Sequence, residues 1–177
     1  RLTVEVARDR TLWVQEYARG APTGKLREAG AVANRRGTTI RFHPDPQIFG
    51  AAARFRPATL FRMARSKAYL YRGVEIRWSC DPALLKAEDQ TPAEATLHFP
   101  AGLADFLSGA VGERPTLTSA PFQGEAPFPD QVGRLEWAIT WLDDDEGFLN
   151  SYCNTIPTPE GGTHEAGLRN ALTRGLR

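Results

Sequence analysis

The chain has 177 residues, of which 41% are hydrophobic and 24% charged, so it can bury a core and is not a disordered segment. No apolar run approaches the ~20 residues that cross a membrane, and no secretory signal pattern opens the sequence. We therefore expect a folded protein without a membrane partner.

The net charge of +1 conceals a strong separation of charge along the chain. Residues 1–77 contain 16 Lys and Arg against 6 Asp and Glu, whereas residues 78–163 contain 3 against 14. Such separation indicates one surface suited to a polyanion and another that repels it. A solvated surface without a function can carry the same pattern, so both interpretations stay open.

The residue types that carry catalysis are present, but not in arrangements that suggest a complete active site. None of the three histidines stands at metal-ligand spacing from another, and Asp143 to Glu146 lacks the spacing and glycine of a calcium loop. No phosphate-loop or nucleophile motif occurs. We predict no metal site. Cys80 and Cys153 form no C-x-x-C pair, which favours a reduced cytoplasmic protein with two inert thiols.

The first part of the chain reads as strands. Alternating apolar and polar residues predict a hairpin over residues 2–19, with strands at 2–7 and 12–17. A third strand, 38–42, ends before two closely spaced prolines. Because so few strands cannot enclose a core without a helix, we predict that they form one edge of a larger domain.

The remainder mixes helices and strands. Residues 57–70 show helical spacing, and the predicted core side carries Leu60, Met63, Ala64, Ala68 and Tyr71. Further strands are predicted at 74–78, 95–99, near 122, at 135–141 and at 148–155, with a helix over 103–110. Strands 135–141 and 148–155 should pair across a turn at 143–147. Mixed strands with helices on one face predict an α+β fold.

The stretch from 151 to 177 is the least generic part of the sequence. Pro157 and Pro159 end a strand, and Gly161-Gly162 permits positive φ or a close backbone approach. Thr163 is the predicted N-cap of a final helix with Glu165 in its first turn. The predicted core face of that helix carries Leu168, Ala171, Leu172 and Leu176.

This stretch also carries a family resemblance. Residues 156–169, I-P-T-P-E-G-G-T-H-E-A-G-L-R, closely resemble the signature loop and helix of the transducer domain in bacterial type IIA topoisomerase B subunits. The resemblance extends to R-G-T-T-I-R-F-H-P-D-P at 36–46, K-A-Y-L at 67–70 and W-A-I-T-W-L at 137–142. Within the family, S-Y-C-N-T-I-P-T at 151–158 resembles the topoisomerase IV B subunit, whereas gyrase usually reads closer to T-N-N-I-P-Q.

The resemblance implies the domain organisation. Residues 1–43 would be the last strands of a GHKL ATPase domain, an α/β sandwich, and residues 44–177 most of a transducer domain with the ribosomal protein S5 domain 2-like fold. The sequence begins at Arg1 without an initiator Met, so we expect a piece of a longer protein. The family's catalytic glutamate, Mg²⁺-binding asparagine and glycine-rich lid would precede it, and a Q-T-K loop would follow. No catalytic residue is therefore expected within these 177 residues.

The resemblance also implies two partial sites. Thr38 matches the threonine of the family's adenine-recognising hydrogen-bond network, Gly37 would allow close approach, and Arg8 matches an arginine at the mouth of the pocket for ATP and coumarin inhibitors. Arg169 matches an arginine lining the cavity for the transported DNA. Two further arginines would extend that line along the helix, Arg174 and Arg177. From the residues alone, each of these positions can also be an ordinary strand glycine or threonine, or a solvated arginine.

The implied activity is ATP- and Mg²⁺-dependent passage of one DNA duplex through another by a cytoplasmic bacterial enzyme. The protein would dimerise through its ATPase region and pair with the topoisomerase IV A subunit. The DNA gyrase B subunit is one alternative, and a non-catalytic nucleic-acid-binding module of the same fold is another. Three basic residues of the helix at 57–70 are left open as subunit or DNA contacts, Arg62, Arg65 and Lys67.

Overall fold

The computed structural model describes residues 1–129, 132–144 and 146–177, which divide into two compact units, Arg1–Phe55 and Arg56–Arg177. The first unit is built on one antiparallel sheet, and the second combines antiparallel strand pairs with helices. The predicted mixture of strands and helices is therefore present.

Unit one is a five-stranded sheet with a short helix. Its elements are β1 (Leu2–Arg8), β2 (Thr11–Ala18), β3 (Ala21–Pro22), β4 (Arg27–Ala31), β5 (Gly37–Phe42) and α1 (Pro46–Phe49). The strand order is β3-β2-β1-β5, and β4 also pairs with β2. The predicted hairpin and third strand are confirmed. The sequence prediction missed β3, β4 and α1.

The centre of this sheet is β1, which pairs with β2 on one side and β5 on the other. Side chains alternate between the two faces, so that Ala7 and Val14 are buried at 2% and 5% exposure. After β5 the chain turns into α1, where the Asp45 side chain accepts a hydrogen bond from the backbone N–H of Gln47 at 2.9 Å. Pro46 suits the first helical position that follows this cap.

Unit two contains three strand pairs and three longer helices within the described residues. Its elements are α2 (Pro57–Leu70), β6 (Glu75–Ser79), β7 (Glu94–His98), α3 (Leu103–Val111), β8 (Phe122–Pro127), β9 (Arg134–Ile139), β10 (Tyr152–Cys153), β11 (Ile156–Pro157) and α4 (Thr163–Gly175). The pairs are β6 with β7, β8 with β9, and β10 with β11, all antiparallel. Short 3-10 turns at Pro82–Leu84 and Ala87–Asp89 join β6 to β7.

The core of unit two forms where α2, α3 and β7 meet. Ala68 and Tyr69 of α2 are buried at 0% and 4% exposure, and the Tyr69 ring stacks on Phe106 with 4.1 Å between ring centroids. The predicted core side of α2 is largely wrong, because Leu60, Met63 and Tyr71 are exposed. Helical spacing shows which residues lie on one face of the helix, but it does not show which of two adjacent faces packs against the neighbouring elements.

The predicted return strand at 148–155 is wrong. β9 pairs instead with β8, in register from Phe122↔Ile139 to Pro127↔Arg134. Gly124 makes this pairing possible, because a Cβ there would lie 2.6 Å from Cζ2 of Trp137. Within 148–155 only Tyr152 and Cys153 are strand residues, since the chain reverses at once through Asn154-Thr155.

Two details of α4 also differ from the prediction. Gly162, with extended backbone at φ 170°, is the N-cap, and Thr163 is the first helical residue without a side-chain capping bond. Leu168 and Leu172 are half-buried as predicted for a core face, whereas Ala171 and Leu176 are exposed. The face of α4 that packs against the rest of unit two therefore contains fewer residues than the sequence predicts.

Candidate functional site

The structure brings three predicted site residues to one end of the sheet in unit one. Gly37 lies opposite Ala7, and Thr38 lies opposite Val6, in the β1–β5 register. Arg8 is the last residue of β1 and follows Ala7 directly. Because paired residues share a face and alternate residues along a strand share a face, Thr38 and Arg8 lie on the same side of the sheet.

These three positions are open to solvent. Gly37, Thr38 and Arg8 are all exposed, and the Thr38 hydroxyl has no hydrogen-bond partner among the residues that the structure describes. Among the described residues, the Arg8 side chain forms an ion pair with its neighbour, with Nε 3.4 Å from Oδ2 of Asp9, and 79% of the side chain is exposed. An exposed pair of this kind contributes little stability, so its guanidinium is available to a carboxylate or phosphate.

The glycine at position 37 is required by the backbone rather than by a neighbour. Its φ is +114°, a region that side-chain-bearing residues rarely adopt, yet a Cβ built there would meet nothing within 4 Å. The loop before it is pinned by Arg35, whose Nη2 donates to Glu5 Oε2 at 2.6 Å and to Thr39 Oγ1 at 2.9 Å. This contact on the opposite face of the sheet was not predicted. It holds the chain at the point where β5 begins.

A cavity of about 650 Å³ lies at the other end of the same sheet. Its lining includes four aromatic rings, Tyr17, Phe42, Phe49 and Phe55, and the charged residues Arg1, Arg19, Asp45 and Arg54. The Asp45 pKa is lowered, first by the hydrogen bond from the Gln47 backbone and then by Arg19, whose Nε lies 3.1 Å from Oδ2. None of the three predicted nucleotide residues lines this cavity, so shape alone would have pointed to a different place.

In unit two, the predicted DNA contact Arg169 lies on the second turn of α4. Its Nε donates to Oε1 of Glu165 at 3.1 Å, one turn earlier, while 64% of its side chain is exposed. Its Nη atoms make no hydrogen bond within the described part of the chain. Arg169 is therefore anchored at one nitrogen and presents the others to solvent.

The other two predicted DNA contacts are less well placed to form a line with Arg169. Arg174 lies in the last turn of α4, about 140° around the axis at 100° per residue, and Arg177 lies beyond the helix end at Gly175. Both are exposed and form no ion pair with a described residue. The three arginines therefore do not share one face of α4, and each is accessible to solvent.

The residues before α4 form a tight hairpin that the sequence did not predict. β10 and β11 are joined by Asn154 and Thr155, both at positive φ (47° and 68°), the pattern of a type I′ turn. A β-branched residue such as Thr155 is strained in this region. Lys67 of α2 compensates, because its Nζ donates to the Thr155 carbonyl at 2.6 Å and to the Thr155 hydroxyl at 2.8 Å.

A second bond from α2 reaches the same hairpin. The hydroxyls of Tyr69 and Tyr152 are hydrogen-bonded, and their rings meet edge to face at 6.0 Å. Burial, followed by this hydrogen bond, raises the Tyr69 pKa above its ordinary value. Of the three basic residues left open on α2, Lys67 thus has an internal role, and Arg65 lies 5.9 Å above the Phe106 ring. Arg62 is exposed.

The remaining candidates from the sequence are the acidic turn at 143–146 and the two cysteines. Asp144 is held by Arg114, with Nε to Oδ2 at 2.9 Å, and this hydrogen bond lowers the Asp144 pKa; Asp145 lies outside the described residues. Across residues 1–129, 132–144 and 146–177, no group of three His, Cys, Asp or Glu could hold a metal ion. Cys80 and Cys153 are free thiols. The described helices include none long and apolar enough to span a membrane.

Known sequences similar to this chain are those of DNA gyrase B and of DNA topoisomerase 4 B subunits. A DNA gyrase B family model matches residues 102–177. Over its whole length the chain is 51% identical to the DNA topoisomerase 4 B subunit of Caulobacter vibrioides, of which it covers 26%. Over 99% of its length it is 49% identical to the same subunit of Bartonella bacilliformis, of which it covers 25%. The chain spans about a quarter of the length of these curated relatives.

Solved structures share the fold. The 43K ATPase domain of Thermus thermophilus gyrase B, in complex with an aminocoumarin, matches 99% of this chain with TM-score 0.79 and 26% identity, over 45% of its own length. The Francisella tularensis topoisomerase IV ATP-binding domain, in complex with a small-molecule inhibitor, matches 98% with TM-score 0.69 and 26% identity, over 44% of its length. Both compact units are thus covered by the similarity.

Proposed function

Because the chain belongs to the family of topoisomerase IV and gyrase B subunits, we propose that it is part of the ATPase and transducer region of a topoisomerase IV B subunit. In this proposal residues 1–43 close the ATPase domain, and residues 44–177 form most of the transducer. The segment 44–55 carries α1 and belongs to the same compact unit as the sheet.

The proposed activity belongs to the full-length protein. Together with the A subunit, it binds ATP, dimerises through its ATPase region and captures one DNA duplex for passage through another. The observation that carries the proposal is Arg169, anchored by Glu165 yet open at its outer nitrogens. A guanidinium held in this way contacts phosphates without reading sequence, as an enzyme acting on any duplex requires. We place this activity in the bacterial cytoplasm.

The nucleotide edge is the second part of the proposal. Thr38 would join the hydrogen bonds to the adenine, Gly37 would admit the ligand close to the backbone, and Arg8 would stand at the mouth, where coumarin-type inhibitors also bind. The three residues share one end of the sheet, Thr38 and Arg8 share a face, and all three are exposed, which supports this assignment. The described residues do not form a metal site, so the Mg²⁺ that accompanies ATP would be held by residues outside this set.

The test uses the full-length protein with its A subunit, ATP and Mg²⁺, on interlinked and on relaxed circular DNA. Decatenation without negative supercoiling is the expected result. Supercoiling would move the assignment to the gyrase B subunit. Activity on neither substrate, with both proteins shown to be folded, would leave a non-catalytic nucleic-acid-binding module.

A matched variant links this activity to Arg169. Arg169→Glu should leave ATP binding intact but remove the stimulation of ATP hydrolysis by DNA, because the phosphate contact changes sign. Lys86→Glu, a charge reversal at a side chain that is 70% exposed between β6 and β7, is the control and should retain stimulation. Full stimulation of the Arg169→Glu protein at low salt would remove Arg169 from the DNA site.

A further inference from the structure

The carboxylate of Glu165 is shared between the predicted DNA contact and the hairpin before α4. Its Oε1 accepts the bond from Arg169 Nε at 3.1 Å, and its Oε2 accepts a bond from Ser151 Oγ at 3.2 Å. Glu165 is only 19% exposed, whereas Arg169 is 64% exposed. The loop packs closely here, since a Cβ at Gly161 would lie 3.1 Å from Oε2. Glu165 is therefore held between two partners on different elements.

Ser151 is part of the closure of the hairpin. Its Oγ bonds to Thr158 Oγ1 at 2.7 Å, and its carbonyl accepts the Thr158 backbone N–H at 2.9 Å. The two residues therefore tie together the ends of the segment 151–158, which we call the clasped hairpin. A change in the hydrogen bonds of the Ser151 hydroxyl therefore also affects the bonds that close the clasped hairpin.

The tip of the clasped hairpin is fixed to α2. Lys67 makes two bonds to Thr155, which is the strained residue of the turn at φ 68°, and Tyr69 bonds to Tyr152. A strained turn persists only while surrounding contacts hold it. The clasped hairpin is thus a small element whose conformation depends on bonds at both ends.

We propose that Glu165 is a positioning residue that couples a phosphate bound at Arg169 to the clasped hairpin, and through it to α2. The inference rests on the proposed function of Arg169 as a DNA contact. One carboxylate oxygen orients the guanidinium by its Nε, which leaves the outer nitrogens for the phosphate. The other oxygen holds Ser151. A phosphate bound at Arg169 weakens the ion pair between Arg169 and Glu165. The largely buried Glu165 carboxylate then depends on its other partner, Ser151 of the clasped hairpin. By reciprocity, the state of the hairpin changes the affinity for the phosphate.

The experiment measures hydrogen exchange of residues 151–158 in the full-length protein, with and without a short duplex DNA of arbitrary sequence at low salt. In the wild type, the duplex should change exchange across these residues. In Arg169→Gln, that response should disappear. In Ser151→Ala, Arg169 and Glu165 remain paired, so DNA affinity should stay within about threefold of wild type while the hairpin response is lost.

Two further variants separate this coupling from general loosening of the loop. Glu165→Gln keeps the shape of the side chain but removes its charge; it too should lose the hairpin response while DNA affinity changes by less than about tenfold. Glu160→Gln removes an exposed acid from the same loop and should respond as wild type. Their exchange without DNA reports any loss of local structure.

The outcomes distinguish the two proposals. A normal hairpin response in Ser151→Ala and Glu165→Gln, with none in Arg169→Gln, would overturn the coupling and leave the DNA contact intact. A normal response in Arg169→Gln would overturn the DNA contact, and the coupling with it. Absence of any response in the wild type would also contradict the coupling.

Discussion

The nucleotide edge in unit one and the clasped hairpin with α4 in unit two both offer exposed groups to a phosphate-bearing ligand, but they are built differently. Arg8, Gly37 and Thr38 are placed by strand register alone, and side-chain bonds to other described elements do not fix them. Arg169 instead bonds to Glu165, which bonds to Ser151 of the clasped hairpin, and other residues of that hairpin bond to α2. Under the proposed function, the first region would bind its ligand at an open sheet edge, whereas binding at the second would change the contacts of the clasped hairpin.

The largest effect should follow from removing the bond between α2 and the clasped hairpin. Lys67→Met deletes two charge-assisted bonds to Thr155 while keeping the length of the side chain. We expect the free energy of local opening at residues 152–157 to fall by about 2–3 kcal/mol. Hydrogen exchange in the full-length protein measures this, and Arg62→Met on the exposed side of α2 is the control. Equal exchange in both variants would show that Lys67 is not holding the turn.

A comparable test on the sheet concerns backbone conformation rather than contacts. Gly37→Val places a β-branched residue at φ +114° and should destabilise β5 by about 1–3 kcal/mol. Thr38→Val is the matched control, since its hydroxyl lacks a described partner; it should change stability by less than about 0.5 kcal/mol. Exchange of the β5 amides compares the two. If both variants behave alike, the positive φ is not a constraint.

A smaller effect is expected for the phenol pair. Tyr69→Phe removes the bond to Tyr152 and should cost about 1 kcal/mol. Because the pKa of Tyr69 is raised in the folded protein, its contribution to stability is present below about pH 10 and falls as the pH rises above that value. Denaturant midpoints followed from about pH 8 to about pH 11 should therefore decline less in the Phe variant than in the wild type. An identical decline would contradict the assignment.

The smallest effects should come from the outer arginines. Arg174→Gln and Arg177→Gln remove exposed charges without described ion pairs, so stability should change by less than about 0.5 kcal/mol. If each contacts one phosphate, the slope of log affinity for duplex against log salt should decrease by about one unit per variant. Unchanged slopes would restrict the DNA contact of α4 to Arg169.

The sequence predicts the elements that depend on local residue patterns, and it misses the contacts between residues that are far apart in the chain. β1, β2 and β5 were predictable, because the alternation of apolar and polar residues is a local property of the sequence. The family resemblance then indicated Thr38 and Arg8 as residues of a nucleotide site. β4 was missed because Arg27–Ala31 has no apolar alternation and is exposed throughout. Lys67 and Thr155 lie 88 residues apart, so no local pattern could reveal their bond.

The error at residues 148–155 has a similar cause. The sequence there favours a strand, but strand propensity does not choose a partner, and β8 occupies the position beside β9. The close approach of Trp137 to Gly124 was the available signal, since only a glycine leaves room for that ring. The sequence predicted a strand near 122 but did not identify it as the partner of 135–141.

The most direct test of the account measures nucleotide affinity and duplex affinity on the same two variants of the full-length protein, Thr38→Ala and Arg169→Gln. We predict that Thr38→Ala weakens nucleotide binding by about 1–2 kcal/mol and leaves duplex binding unchanged, because it loses one hydrogen bond at the sheet edge. Arg169→Gln should do the reverse and lower the salt dependence of duplex binding. Loss of both affinities in one variant, or of neither in both, would contradict the assignment of one ligand to each region.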